Sequence, residues 1–260
     1  MKRIAIITGA SSGMGRQFAR TAADYVEFDE LWAVARRADR LSALAEELSG
    51  KANVVSVPLD LEDSQSIDSL GEKIQSEDAE VVLLVNAAGF GKFQAVTDVP
   101  KKTADGMLAL NCRAMMDMCY TCLPYMKPGA KILNIASVAG FQPVPYICEY
   151  AATKAFVLSF SRGLWKEQKG KGITVTALCP YWTKTEFFDV AQLKDSDNIV
   201  TYFNAMYEAE DVVARGWRDL MKGRDVSTFG FIARAQIALV KLLPHRIVMW
   251  IWCKQQNIKQ

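Results

Sequence analysis

Tyr150 and Lys154 stand four residues apart in Tyr150-Ala151-Ala152-Thr153-Lys154, a spacing that puts a phenol and an ammonium on one face of a helix. A cation so placed favours the phenolate, and is expected to draw the tyrosine down from its ordinary value of about 10 into the range of proton transfer. Alone the pair is a weak signal, because such spacings are common on wet helix surfaces. A second cluster, Thr8-Gly9-Ala10-Ser11-Ser12-Gly13-Met14-Gly15, follows an apolar run and opens a helix-like stretch. Glycine there lets a pyrophosphate approach the main chain, and a helix start offers free N–H groups and a positive dipole end. A third, Arg36-Arg37, closes the next apolar run, where a carboxylate would bind the ribose hydroxyls of NAD. Guanidinium groups suit a 2′-phosphate instead. The expected cofactor is therefore NADP(H), with Arg36 as the main contact and Arg37 or Ser11 assisting.

Other reactive groups fall short of a site. Cys119 and Cys122 form a C-x-x-C among six cysteines, but no second pair follows and the one histidine, His245, is remote. Zinc takes three or four protein ligands, so no metal is expected. The thiols lie in apolar surroundings, as reduced core cysteines do. A net charge of +2 without a basic block gives no reason to expect nucleic acid. No apolar run reaches the roughly 18–20 residues of a bilayer span, and the run after Lys2-Arg3 lacks a cleavage-like region, so a cytoplasmic setting is expected.

The elements that must hold these groups alternate. Strand candidates are Arg3–Thr8, Glu30–Ala35, Asn53–Pro58, Val81–Val85, Lys131–Ala136 and Thr174–Cys179. Each is apolar on successive residues, the pattern of strands covered on both faces. Helix-length stretches separate them, at Gly13–Tyr25, Ala38–Ser49, Ser64–Ser76, Thr103–Met126 and Glu149–Lys169. This order predicts one α/β domain over residues 1–260, a doubly wound, Rossmann-like parallel sheet with helices on both faces. The rhythm breaks over 185–224, where Phe187, Phe188, Tyr202, Phe203 and Tyr207 stand among polar residues, and a helical substrate lid is expected there. The apolar segment 229–253 is interrupted by Arg234, Lys241 and Pro244. It is expected to pack on its own chain or a sister subunit of a homo-oligomer in preference to a membrane surface.

The Thr-Gly-x-x-x-Gly-x-Gly spacing, in place of Gly-x-Gly-x-x-Gly, resembles the short-chain dehydrogenase/reductase family, and the match runs from Thr8 to about Thr185. The resemblance implies that Asp60-Leu61 contacts the adenine and that Asn86-Ala87-Ala88-Gly89 shapes the cofactor floor. Asn111, Ser137, Tyr150 and Lys154 match the family's catalytic tetrad in order and spacing. By that resemblance Tyr150 exchanges a proton with the substrate oxygen and Ser137 hydrogen-bonds the same oxygen. Lys154 lowers the tyrosine pKa and holds the nicotinamide ribose, and Asn111 supports a water that links Lys154 to solvent. Pro180, Thr183 and Thr185 would also touch the cofactor. Tyr181 departs from the family, which usually has glycine there.

Ala139 to Tyr146, Tyr181, Trp182, Phe187 and Phe188 are candidate pocket residues, and such linings favour a bulky, lipophilic alcohol or ketone. Within the family, hydroxysteroid dehydrogenases handle substrates of that kind, so a steroid or bile acid is expected. Fatty-acyl and xenobiotic carbonyls are the alternatives. A non-catalytic NADP-binding sensor is the competing reading from another class, and the complete tetrad argues against it.

Overall fold

The computed structural model describes residues 1–193 and 198–258. Its strands, in chain order, are β1 (Lys2–Thr8), β2 (Glu30–Ala35), β3 (Val54–Pro58), β4 (Ala79–Asn86), β5 (Lys131–Ile135), β6 (Thr174–Leu178), β7 (Thr183–Lys184), β8 (Tyr207–Glu208) and β9 (Val226–Ser227). Seven of them form one sheet in the order β3-β2-β1-β4-β5-β6-β9, and β7 pairs with β8 apart from it. All pairings in the large sheet are parallel. Chain order reverses direction between β1 and β4, and a crevice opens at the carboxyl ends of strands at such a point.

The helices are α1 (Gly13–Thr21), α2 (Ala38–Glu47), α3 (Ser64–Ser76), α4 (Lys101–Leu108), α5 (Met115–Cys122), α6 (Cys148–Lys169), α7 (Phe187–Ala191), α8 (Ala209–Met221), α9 (Phe231–Leu242) and α10 (His245–Gln255). Side chains alternate across a strand, and β1 shows the result. Ile4 and Ile6 enter a core with residues of α3, α5 and α6, while Ala5 and Ile7 enter a second core with residues of α1, α2 and α8. The doubly wound reading of the apolar runs is thereby met. β9 was not foreseen, since two residues are too few to leave a pattern.

The segment 185–224, where a lid is expected, does not fold as one unit. Its last part is α8, which packs on the sheet as a core helix. Trp217 is fully buried, with Tyr25 stacked on it at 4.9 Å and Phe18 edge-on at 5.2 Å. Its indole Nε1 donates to Thr21 Oγ1 at 2.9 Å. What remains beside the crevice is α7 and the chain leading to β8, of which residues 194–197 lie outside the described residues. The segment 229–253 folds as α9 and α10, joined around Pro244 and packed on its own chain. No described helix is long and apolar enough to cross a membrane.

Truncating Trp217 to alanine should cost about 3–5 kcal/mol of unfolding free energy in a urea titration, as large-to-small core changes do. A loss below about 0.5 kcal/mol, the range of surface changes, would contradict the placing of α8 in the core.

Candidate active site

The crevice is built first from main chain. After β1 the backbone turns at Gly9 with φ of 66°, and a Cβ there would stand 2.8 Å from Ala88 N. A Cβ on Gly15 would stand 2.3 Å from the Gly9 oxygen. Glycine is thus required by packing as well as by conformation. Ser12 precedes α1 in extended conformation without capping it, and its hydroxyl accepts from Arg37 Nη2 at 2.8 Å. The first-turn N–H groups are left without a side-chain cap at the crevice wall, and this fits a pyrophosphate. Thr8 Oγ1 accepts from Ala87 N and Ala88 N at 3.0 and 3.2 Å, so one hydroxyl ties the glycine loop to the loop after β4.

The two arginines diverge. Arg36 reaches outward, 63% exposed, to Glu62 at 3.3 Å. Arg37 turns onto the loop and donates to Ser11 Oγ from Nε at 3.2 Å and from Nη2 at 3.0 Å. Its Nη1 meets Glu186 at 3.1 Å, and Arg40 meets the same carboxylate at 2.6 Å. Glu186 directly precedes α7, so this carboxylate joins α7 to the start of α2.

At the other end, α6 carries Tyr150 and Lys154 beneath the 3-10 turn Val138–Phe141. Lys154 is 5% exposed, and its Nζ donates to the Ile135 carbonyl at 2.7 Å. The ammonium lies 5.6 Å from the Tyr150 ring centre. Ser137 and Tyr150 both line the crevice, and the serine hydroxyl acts to lower the phenol. Burial pushes the phenol up to about 12, and the Ser137 hydrogen bond opposes that only in part. Burial likewise pulls Lys154 down to about 8. Desolvation is the largest cause acting on both groups, and it disfavours the charged form of each.

Thr8, Asn86 and Asn111 do not reach the crevice, whereas every other residue expected at the cofactor or the reacting oxygen lines it. Asn86 Nδ2 turns under the sheet to Asn134 Oδ1 at 2.9 Å, and Asn134 Nδ2 continues to Ser161 Oγ at 2.9 Å. Asn111 lies in a π-helical stretch, Ala109–Ala114, between α4 and α5. Its Nδ2 donates to Phe90 O at 2.8 Å and Thr153 Oγ1 at 3.0 Å, and its Oδ1 accepts from Phe90 N at 3.0 Å. Thr153 Oγ1 in turn donates to Tyr150 O at 2.8 Å. Asn111 thus ties the first turns of α6 to the loop after β4. The pair Cys119 and Cys122 is fully buried, and burial pushes both thiols up, Cys119 to about 12.

The sequence pattern of the short chain dehydrogenase family matches residues 3–195. The chain belongs to this family. As a short-chain dehydrogenase it is a nicotinamide-dependent oxidoreductase. It is 36% identical over 191 residues to sulfoacetaldehyde reductase 2 of Chromohalobacter salexigens, which covers 72% of this chain and 75% of that protein. It is 32% identical over 196 residues to the very-long-chain 3-oxoacyl-CoA reductase of Anas platyrhynchos, over 72% of this chain and 62% of that one. A short-chain dehydrogenase of Sphingobium yanoikuyae in complex with NADPH superposes with a TM-score of 0.78 at 27% identity, covering 100% and 97% of the two chains.

Sequence reasoning missed several residues of this short-chain dehydrogenase site. Thr153 stood inside the Tyr150–Lys154 motif, and Asn134 three residues before Ser137, so both were within reach of a closer reading. Glu186 and Arg40 gave no signal, because their pairing spans 146 residues.

A titration of the lysine side chains by NMR in the cofactor-free protein should show Lys154 with a midpoint near pH 8, since its ordinary value is 10.5 and burial lowers it. The Tyr150 phenol should stay protonated beyond pH 11, below its value of about 12. A Lys154 midpoint above pH 10 would contradict the buried geometry.

Proposed function

We propose that this short-chain dehydrogenase uses NADP(H) to interconvert a secondary alcohol and a ketone on a bulky, lipophilic substrate such as a steroid or bile acid. The observation that carries the reading is how charge is distributed in its cleft of about 1060 Å³. Apart from Lys154, the charged residues of the lining among the described residues are Arg36, Arg37, Asp60, Glu62 and Glu186, all near the phosphate loop or the end of β2. Beyond Ser137 and Tyr150 the wall includes Phe93, Trp182, Phe187, Phe188 and Trp252, with the ring centres of neighbouring pairs 5.8 to 6.3 Å apart. A sulfonate would need a cation at that end, and among the described residues the lining supplies none besides the tethered Lys154. The substrate named for the Chromohalobacter relative is therefore not carried over. Tyr181, at the glycine position of the family, adds to this wall, and its hydroxyl donates to Asn204 Oδ1 at 2.7 Å.

When bound, the nicotinamide gives a hydride to the substrate carbon or takes one from it. The chain's own residues handle the oxygen. Tyr150 donates its proton to the carbonyl oxygen in reduction and recovers it in oxidation, while Ser137 hydrogen-bonds the same oxygen as charge develops. Lys154, tethered to Ile135, supplies fixed positive charge behind the phenol. At the far end no carboxylate closes β2, which ends at Ala35. With Ser11 and Ser12 beside it, Arg37 holds the 2′-phosphate in this reading, and Arg36 assists, the reverse of the order expected from sequence.

Arg37→Ala should weaken NADPH binding about ten- to hundredfold, the loss of charge-assisted hydrogen bonds, and leave NADH binding nearly unchanged. Arg36→Ala should have the smaller effect. Equal losses on both cofactors would remove the 2′-phosphate role. Tyr150→Phe should lower turnover of a hydroxysteroid or ketosteroid about 10²–10⁴-fold with NADPH binding retained, followed by reduced-nicotinamide absorbance. Unchanged turnover would refute the mechanism. Activity on small carbonyls alone would refute the substrate class.

A further inference from the structure

We propose that the outer faces of α9 and α10 bind the surface of an anionic lipid bilayer and set the mouth of the substrate cleft against it. The first observation is charge. All 29 acidic side chains fall before residue 226, whereas Arg234, Lys241, Arg246, Lys254 and Lys259 follow it. The segment is cationic, although the chain as a whole is close to neutral at +2.

The second observation is exposed apolar surface on the same elements. Phe231, Ala235, Leu239 and Leu242 recur at helical spacing along one side of α9, and all are exposed, Phe231 at 78% and Leu242 at 81%. On α10, Ile247 and Trp250 are exposed between Arg246 and Lys254. Lys254 Nζ lies 5.0 Å from the Trp250 ring. Cations beside exposed aliphatic and indole side chains match the boundary between headgroups and acyl chains.

The third is position. The same two helices turn Val240, Val248 and Trp252 inward to the cleft, while Phe231, Ile232 and Leu239 belong both to its lining and to the exposed surface. The opening therefore lies within the apolar, cationic face. A second copy seated two-fold on this face would bring cations against cations with no acid in the segment to pair them. Anionic headgroups complement the charge, and acyl chains cover the apolar stripe. With no described helix able to span, the contact is peripheral. It does not depend on the substrate proposed above.

The test uses the full chain in cosedimentation with vesicles of phosphatidylcholine, with and without phosphatidylglycerol. Partitioning should be at least about tenfold stronger on the anionic vesicles, and should be lost near 1 M salt, where the Debye length is about 3 Å. Leu242→Glu with Trp250→Glu, neither of which lines the cleft, should weaken it about tenfold or more and leave turnover of a water-soluble carbonyl unchanged. Tyr120→Glu, an exposed aromatic on α5, should leave partitioning intact. Equal partitioning on both vesicle types, or no effect of the double variant, would overturn the proposal. So would a dimer that the double variant dissociates in a protein that ignores vesicles, since a second copy would then cover the face. Vesicle binding needs no turnover, so its failure is separable from failure of the proposed reaction.

Discussion

Lys154 carries an ammonium into the interior, and the Ile135 carbonyl at 2.7 Å is the hydrogen-bond acceptor that meets it. A buried cation is costly unless it is hydrogen-bonded, so α6 has to pass the end of β5 at a fixed depth. The turn over the helix must then be thin. A Cβ on Gly140 would stand 2.6 Å from Lys154 O. That closeness sets Ser137, at the start of the turn, over Tyr150, one helical turn before the lysine. Asn111 and Thr153 hold the same turns from the opposite side. The π-helical stretch places Asn111 there, and irregular turns of this kind are frequent at functional sites.

The cofactor end was legible in the sequence because its residues are close along the chain and depend on glycine. The tetrad was legible because four residue types recur in one order. The roles were less so. Asn86 and Thr8 are expected at the cofactor by motif and Asn111 at a water beside Lys154, and spacing alone does not record that their side chains also bond the loops and strands beneath the crevice. Arg36 and Arg37 are adjacent, and only the backbone direction after β2 decides which one turns to the loop. The raised Tyr150 depends on burial from several segments, which spacing within one helix does not record.

The far wall was hardest to read because no single stretch builds it. Phe93 follows β4, Trp182 and Phe187 follow β6, and Trp252 comes from α10. Trp252 Nε1 donates to Pro145 O at 2.9 Å, just before Tyr146, which takes a φ of 63°. A bulky side chain in that region is strained, and the tail residue braces the turn that leads into α6. Gln256, directly after α10, accepts from Thr201 N and Tyr202 N, both at 3.0 Å, so the end of the tail also anchors the chain that leads to β8.

The two ends therefore differ in what mutation can do to them. At the phosphate loop the contacts are main chain against main chain, Gly9 against Ala87 and Ala88 and Gly15 against Gly9, and there is no side chain to exchange for another. Across the cleft the wall is a set of separable aromatic side chains on segments that the sheet does not need. A duplicated gene could drift to a new substrate through those segments one residue at a time, with redox chemistry kept intact throughout.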